Sequence, residues 1–421
     1  MHLPRVHAVG FYFSIAILLP MLLGAEPLIP TANSTKPDEP AEKTAPLRLV
    51  KTKHYEIHTD MDEALVTDLA SRMDSMYEQY VKTFSDFKPR ADAPSLPVYL
   101  FATQKRYMAF TNYAGTNTGG LFVGGHHPYL TAYDQGQGRD ALRRTLQHEA
   151  FHQFAYANIS RQLPPWMNEG MAQLFEESIW EGKDFIVDQI PPRRVRKLHA
   201  DIMQKQLMEF DQFLAQTPHE WSSTLHTNLD KAATAYNQAW AMAYFCSSAG
   251  DPAYHKQFVE LLKKLHGDVD PADEVKKAFP DLKDFRKKFN VWAAKLKPTP
   301  QATQLENLDT VGDFLLAVTQ NNQPVPVSMA AFRNLVVDEN MKIQYTKGKF
   351  SFSTADRPVV YFSDLSGRVF KPTELFFKPA DDGAPLPDII CQPQGSSLRY
   401  RTHFYISAEK TEHEMLIEPA S

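Results

Sequence analysis

Two histidines and a glutamate in the string His148-Glu149-Ala150-Phe151-His152, followed after sixteen intervening residues by Glu169, constrain this chain more than any other feature. On an α-helix, residues four apart lie about 40° apart around the axis, so His148 and His152 can aim both imidazoles at one metal ion. Glu149 lies about 60° from His152, within reach of a water beside that metal without itself being a ligand. Zinc in a hydrolytic site takes three ligands of the His and carboxylate kind and keeps a fourth position open. The spacing predicts a zinc site of His148, His152 and Glu169, with Glu149 as its base.

The flanking residues predict a helix under each half of the site. Leu142, Leu146, Ala150 and Phe154 form an apolar stripe, with Thr145, His148 and His152 on another face and Asp140 after Gly138 as a start signal. Pro164 and Pro165 open a second helix, in which Met167, Met171, Leu174 and Phe175 recur at helical spacing while Gln173 and Glu176 share the Glu169 face. HEAFH followed by WMNEGMAQLFE resembles the gluzincins, zinc metallopeptidases with an HExxH helix and a glutamate ligand on a second helix. Within them it is similar to the aminopeptidase N type, whose second helix reads W-x-N-E-G-x-A with a further Glu seven residues after the ligand, matched by Glu176. It also resembles the catalytic region of a poorly characterised group of secreted, peptidase-like bacterial proteins. The resemblance covers roughly residues 140 to 180.

What it implies is peptide-bond hydrolysis with one Zn2+ per chain, Glu149 as general base, and Gln173 or Glu176 orienting a ligand from behind. It further implies a downstream tyrosine that hydrogen-bonds the oxyanion. Tyr236 suits that role by position, with His226 and Tyr244 in reserve. One family element is missing: the Gly-x-Met-Glu-Asn segment that holds a substrate's free amine has no counterpart in Gly119–Leu130, which carries no acidic residue. Cleavage within a peptide is therefore expected over removal of an N-terminal residue. Leu121–Val123 or Tyr129–Tyr133 could supply an edge strand for an extended substrate. His126 and His127, flanked by glycine and proline, read as loop residues rather than ligands. The competing expectations are a catalytically inactive, metal-containing protein that holds peptide or envelope material, and a structural protein in which HEAFH is accidental.

Residues 1–25 read as a signal peptide: Arg5 precedes an apolar run from Gly10 to Leu23, shorter than the ~20 residues of a membrane span and interrupted by Pro20. Export to a periplasmic or extracellular space follows, with an uncleaved N-terminal anchor as the alternative. Residues 26–46, rich in Pro, Thr, Ala, Glu and Lys, read as a flexible linker. The rest predicts an α+β chain. Residues 47–297 form a zincin-like catalytic domain, with an N-terminal mixed sheet and then a helical lobe. Residues 301–421, beyond Pro298-Thr-Pro300, form a small β-rich domain with a possible helix at Val311–Val318 and no ligand cluster. A net charge of -5 excludes a strongly basic nucleic-acid surface, leaving a peptide or protein substrate as the expected partner and no stable membrane span after signal removal. The basic run Arg193-Arg194-Val195-Arg196-Lys197 reads as a solvated helix face. Cys246 and Cys391 could pair or remain free thiols, and the oligomeric state is open.

Overall fold

The computed structural model describes residues 46–420 apart from 88–96, 113–118, 126, 137, 228, 250–251, 339–343, 348–349, 354–361, 365, 381 and 408–409, with backbone alone for 225–227, 229, 249, 337–338, 344–347 and 350–353. The expected signal peptide, nearly all of the linker, His126 and the side chain of His226 lie outside the described residues.

The architecture is α+β. Strands β1 (Arg48–Lys51), β2 (Glu56–Thr59), β3 (Val98–Phe101), β4 (Gly120–Val123) and β5 (Tyr129–Tyr133) make a mixed sheet in the order β1-β2-β3-β5-β4. β2, β3 and β5 are parallel, with Ile57 opposite Val98 and Val98 opposite Leu130, while β1 and β4 are antiparallel edges. Parallel neighbours need a crossover, and α1 (Glu63–Thr83) provides it between β2 and β3. The Asp62 carboxylate caps α1 by accepting from the Ala64 and Leu65 amides, and Val66, Leu69, Met73, Met76 and Tyr80 form its buried stripe. α2 (Gln104–Thr111) begins at Thr103, whose hydroxyl accepts from the Arg106 amide. Of the two candidate edge strands, the edge is β4; β5 pairs on both sides.

α3 (Arg139–Asn158) lies between this sheet, α1 and α4 (Pro165–Glu176), with almost every residue from Ala141 to Asn158 buried. Its polar residues must therefore find their partners inside the protein. α4 starts at Pro165, whose missing amide hydrogen costs nothing at a first helical position. It packs on α3 and on α8 (Leu229–Tyr244), which continues as a π-helical turn at Phe245–Ala249. Between α4 and α8 come the two-residue strands β6 (Ile179–Trp180) and β7 (Phe185–Ile186), then α5 (Pro192–Met203), α6 (Phe210–Leu214) and α7 (Pro218–Thr227). α9 (Pro252–Leu265), α10 (Pro271–Ala278) and α11 (Leu282–Ala293) complete this part, whose hydrophobic core runs from Tyr55 to Leu296.

A second core begins at Ala302 and ends at Ile417, joined from upstream by Ile179. It contains α12 (Pro300–Gln320), then α13 (Met329–Arg333) with a following π-helical turn, the hairpin β8 (Gln344–Lys347) and β9 (Phe350–Ser353), and a four-stranded antiparallel sheet. That sheet is ordered β10 (Leu375–Lys378), β11 (Asp388–Cys391), β12 (Leu398–Ser407), β13 (Lys410–Pro419). α12 is much longer than the expected Val311–Val318 segment. Thr299-Pro300 starts it a full three turns earlier, in a polar stretch that packs through Ala302 and Leu308. β11 and β13 were not expected either. β13 carries Lys410, Glu412, His413 and Glu414 in its first half, and the last two are buried on opposite faces, His413 against α12 and Glu414 against α3. Cys246 and Cys391 are both buried and unpaired, and burial pushes the Cys391 thiol up to about 12. Among the described residues no helix is long and apolar enough to cross a membrane.

β13 also grips the start of α3. The Met415 amide donates to Asp140 Oδ2 at 2.6 Å, Arg139 and Arg143 reach the buried Glu414 at 2.9 and 2.6 Å, and Tyr405 Oη accepts from the Arg139 amide at 3.0 Å.

The tightest packing lies between α4 and α8. A Cβ on Gly170 would stand 2.4 Å from the Ala239 carbonyl oxygen and 2.7 Å from Ala243 Cβ, so glycine lets the two helices meet at backbone distance. Gly170→Ala should cost about 1–3 kcal/mol by overpacking, despite alanine's better helix propensity. The check is a denaturant midpoint lowered at unchanged slope; an unchanged midpoint would contradict the close crossing.

Candidate metal centre

α3 and α4 bring the predicted ligands together. The donor atoms of His148, His152 and Glu169 all lie within 4.8 Å of one another. Glu169 Oε2 is 3.3 Å from His148 Nε2 and 3.7 Å from His152 Nε2. Ligands about 2.0–2.1 Å from a tetrahedral zinc stand about 3.3–3.5 Å from each other, so the three atoms already have the separations of ligands around one small cation. Each is buried and none makes a well-formed hydrogen bond; the nearest approach is the 3.3 Å contact between His148 and Glu169, close enough for each to act on the other's charge. Three buried, unsatisfied polar atoms converging on a point are what a cation would satisfy.

The far side of each imidazole is held. His148 Nδ1 donates to Glu176 Oε2 at 3.1 Å, and His152 Nδ1 donates to Asn168 Oδ1 at 3.0 Å. Both Nε2 atoms face Glu169, and each can ligate in the neutral tautomer that keeps its proton on Nδ1. Of the two expected supporting residues, Glu176 touches an imidazole. Gln173 does something else: its amide nitrogen donates to the backbone carbonyls of Glu169 at 3.1 Å and of Tyr236 at 2.9 Å, tying α4 to α8. Asn168 escaped the sequence reading, although it stands beside Glu169 in the W-x-N-E-G string and its short amide could have been matched to the second histidine.

Glu149 is fully buried. Its Oε2 accepts from the Phe122 amide on the edge strand at 2.8 Å, while Oε1 has no partner. Gly120 makes that approach possible, because a Cβ there would stand 2.6 Å from Thr145 Cγ2 and 3.1 Å from Glu149 Cγ. Tyr236 sits on α8 with its ring edge-on to Trp221 at 5.4 Å, and Tyr244 stacks between Trp240 and Trp292. His127 is exposed after β4.

The electrostatics follow from burial. Burial disfavours charge on His148, but the hydrogen bonds and charges of Glu169 and Glu176 outweigh it and raise this imidazole to about 10. His152 goes the other way: burial, and then the neighbouring His148 charge, hold it well below the ordinary histidine range. Burial lifts Glu149 to about 7, with the His148 charge working against the shift and Glu169 adding to it. Glu169 is raised chiefly by burial.

Two readings of the sequence need correction. The basic run in α5 is not a solvated face. Arg194 and Lys197 are buried, Arg194 against Glu177 and Gln173, Lys197 against Asp201 and Thr234. Arg193 pairs with Glu177 and the partly exposed Arg196 with Glu306. Glu177 and Glu306 lie on other elements, out of reach of helical spacing, whereas Asp201 stands four residues after Lys197 on α5 itself. The second correction concerns residues 301–421, where Asp309, Asp313 and His413 do gather within 4.8 Å. His413 Nε2 lies 2.9 Å from Asp313 Oδ1, a contact that fastens β13 to α12.

Residues 143–267 match a family described as Protein of unknown function (DUF1570), a span that contains every side chain of the centre. No curated protein matches the chain.

Proposed function

We propose that this chain is an exported zinc metallopeptidase of the gluzincin type that cleaves within peptides. The observation that carries the reading is the convergence of three partnerless donor atoms, from His148, His152 and Glu169, beside the buried Glu149 carboxylate. What zinc supplies at such a donor set is Lewis acidity, which acidifies water and polarises a carbonyl.

The remaining work falls to the chain's own residues. His148, His152 and Glu169 hold the ion, and Glu176 and Asn168 hold the imidazoles in the ligating tautomer. Glu149 takes the proton from the attacking water and passes it to the leaving amine. Burial, which raises this carboxyl in the metal-free protein, favours its acceptance of that proton. Tyr236 is assigned to the oxyanion on its position along α8, a type of contact worth about 3 kcal/mol. β4, whose outer edge pairs with no strand among the described residues, offers an extended substrate the backbone groups that the Phe122–Glu149 bond leaves available. The absence of an acidic residue in the described part of 119–130 supports internal cleavage, since nothing there would anchor a free amine.

A second reading has its own support. His148, Glu149, His152 and Glu169 are only 0–3 % exposed, which favours a metal-containing, non-hydrolytic protein that uses the ion to hold its helices together. Turnover separates the two. With equal zinc loading, the wild-type chain should cut a peptide library at internal positions, and Glu149→Gln should lose about three orders of magnitude or more in rate while retaining the metal. Full activity in the loaded variant would remove Glu149 as base, and an inert wild-type chain would leave the non-hydrolytic reading.

Zinc entry also has a pH signature. The metal-free His148 is raised to about 10, hence charged at neutral pH, and must lose its proton to ligate. Affinity should therefore rise about tenfold per unit between about pH 6 and 9, with about one proton released per ion, read from calorimetric titrations in two buffers of different ionisation heat. An affinity independent of pH would contradict the arrangement around His148.

A further inference from the structure

Arg194 stands behind the metal centre on α5, 3 % exposed, and each arm of its guanidinium is used. Nε donates to Glu177 Oε1 at 2.7 Å, Nη1 donates to Gln173 Oε1 at 2.6 Å, and Nη2 lies 3.7 Å from Glu176 Oε2. The plane rests 5.7 Å from the Trp240 ring centre. Two of these three partners serve the centre. Glu176 Oε2, the atom facing Arg194, is the one that accepts from His148 Nδ1. Gln173 presents its amide nitrogen to the Glu169 and Tyr236 carbonyls because its oxygen is turned to Arg194.

Neutralising Glu177 does not by itself require Arg194. Arg193 Nη2 already pairs with Glu177 Oε2, the other oxygen of that carboxylate. What Arg194 adds is direction: its planar fork donates to Glu177 and Gln173 at fixed angles and so keeps its third nitrogen facing Glu176 at ion-pair distance, an arrangement the single ammonium of lysine cannot make.

We infer that Arg194 is a positioning residue of the metal centre, acting through Glu176 on the tautomer and aim of His148 and through Gln173 on the backbone that carries Glu169. This rests on the metal reading above. Partners of metal-bound histidines usually govern affinity by about 10- to 100-fold, and an effect of that size is assigned to Arg194 although it lies one residue further out.

The test is zinc affinity by chelator competition in the full chain, with circular dichroism and the metal-free Tm recorded beside it. Arg194→Met should weaken zinc by about 10- to 100-fold. Arg194→Lys, which keeps a charge next to Glu177 and so keeps the fold if the methionine variant fails, should weaken it as well and shrink the rise in Tm that zinc produces. In a Glu176→Gln background, Arg194→Met should add less than it costs alone, because both act on one imidazole. Wild-type affinity in either folded variant, rescue by lysine, or losses that simply multiply with Glu176→Gln would overturn the inference while leaving the metal reading intact. A wild-type chain without zinc affinity would sink both.

Discussion

A helix buried along most of its length must settle the polar groups it carries, and α3 carries two imidazoles, the carboxylates of Asp140 and Glu149, and three arginines near its start. Leaving one buried polar atom unsatisfied costs about 1–3 kcal/mol. Nδ1 of both histidines and Oε2 of Glu149 have partners, while both Nε2 atoms, Glu149 Oε1 and Glu169 Oε2 make no well-formed hydrogen bond. The open atoms gather at one place. Such a cluster destabilises the metal-free chain, and the same strain becomes binding free energy when a cation arrives. The surrounding contacts make sense on this basis. Glycine at 120 and 170 brings β4 and α8 close enough to enclose the centre, and Arg194 lies behind it between Glu176 and Glu177.

The frame that orients α3 draws on both ends of the chain. At its first turn, burial opposes charge on Asp140, but Arg143 and the Met415 amide outweigh it and hold the carboxyl below its usual range. Arg143 meets Asp68 on α1 and Glu414 on β13 through the same guanidinium. One arginine therefore joins the N-terminal crossover helix, the site helix and the C-terminal sheet. His148 lies nine residues further along, about 13 Å at the helical rise, so the C-terminal sheet fixes the direction of the helix without touching the site.

What could be read in advance was local and periodic. Four-residue spacing put His148 and His152 on one face, the proline pair located the start of α4, and Leu121–Val123 and Tyr129–Tyr133 were both legible as strands, though not which of them was the edge. The failures share a cause, which is that the deciding partner was remote in sequence. Arg194 looked like a solvated residue because Glu177 and Gln173 belong to another helix. β13 looked polar because its His413 and Glu414 are satisfied by Asp313 and by Arg139 and Arg143, far upstream. α12 was truncated in the reading because its first turns are mostly Gln, Thr and Asn, and their helical state depends on packing against β12 and β13 rather than on propensity. Glu176 could be anticipated as a support for the ligands from its place in the motif. Asn168 and the Phe122 amide needed coordinates.

The most direct test of the account is the metal content of the purified, folded chain measured beside its Glu169→Ala variant. Here the prediction is one zinc per wild-type chain and none retained by the variant at matched fold. A folded wild-type chain without stoichiometric metal, or a variant that keeps its zinc, would contradict a centre built from His148, His152 and Glu169.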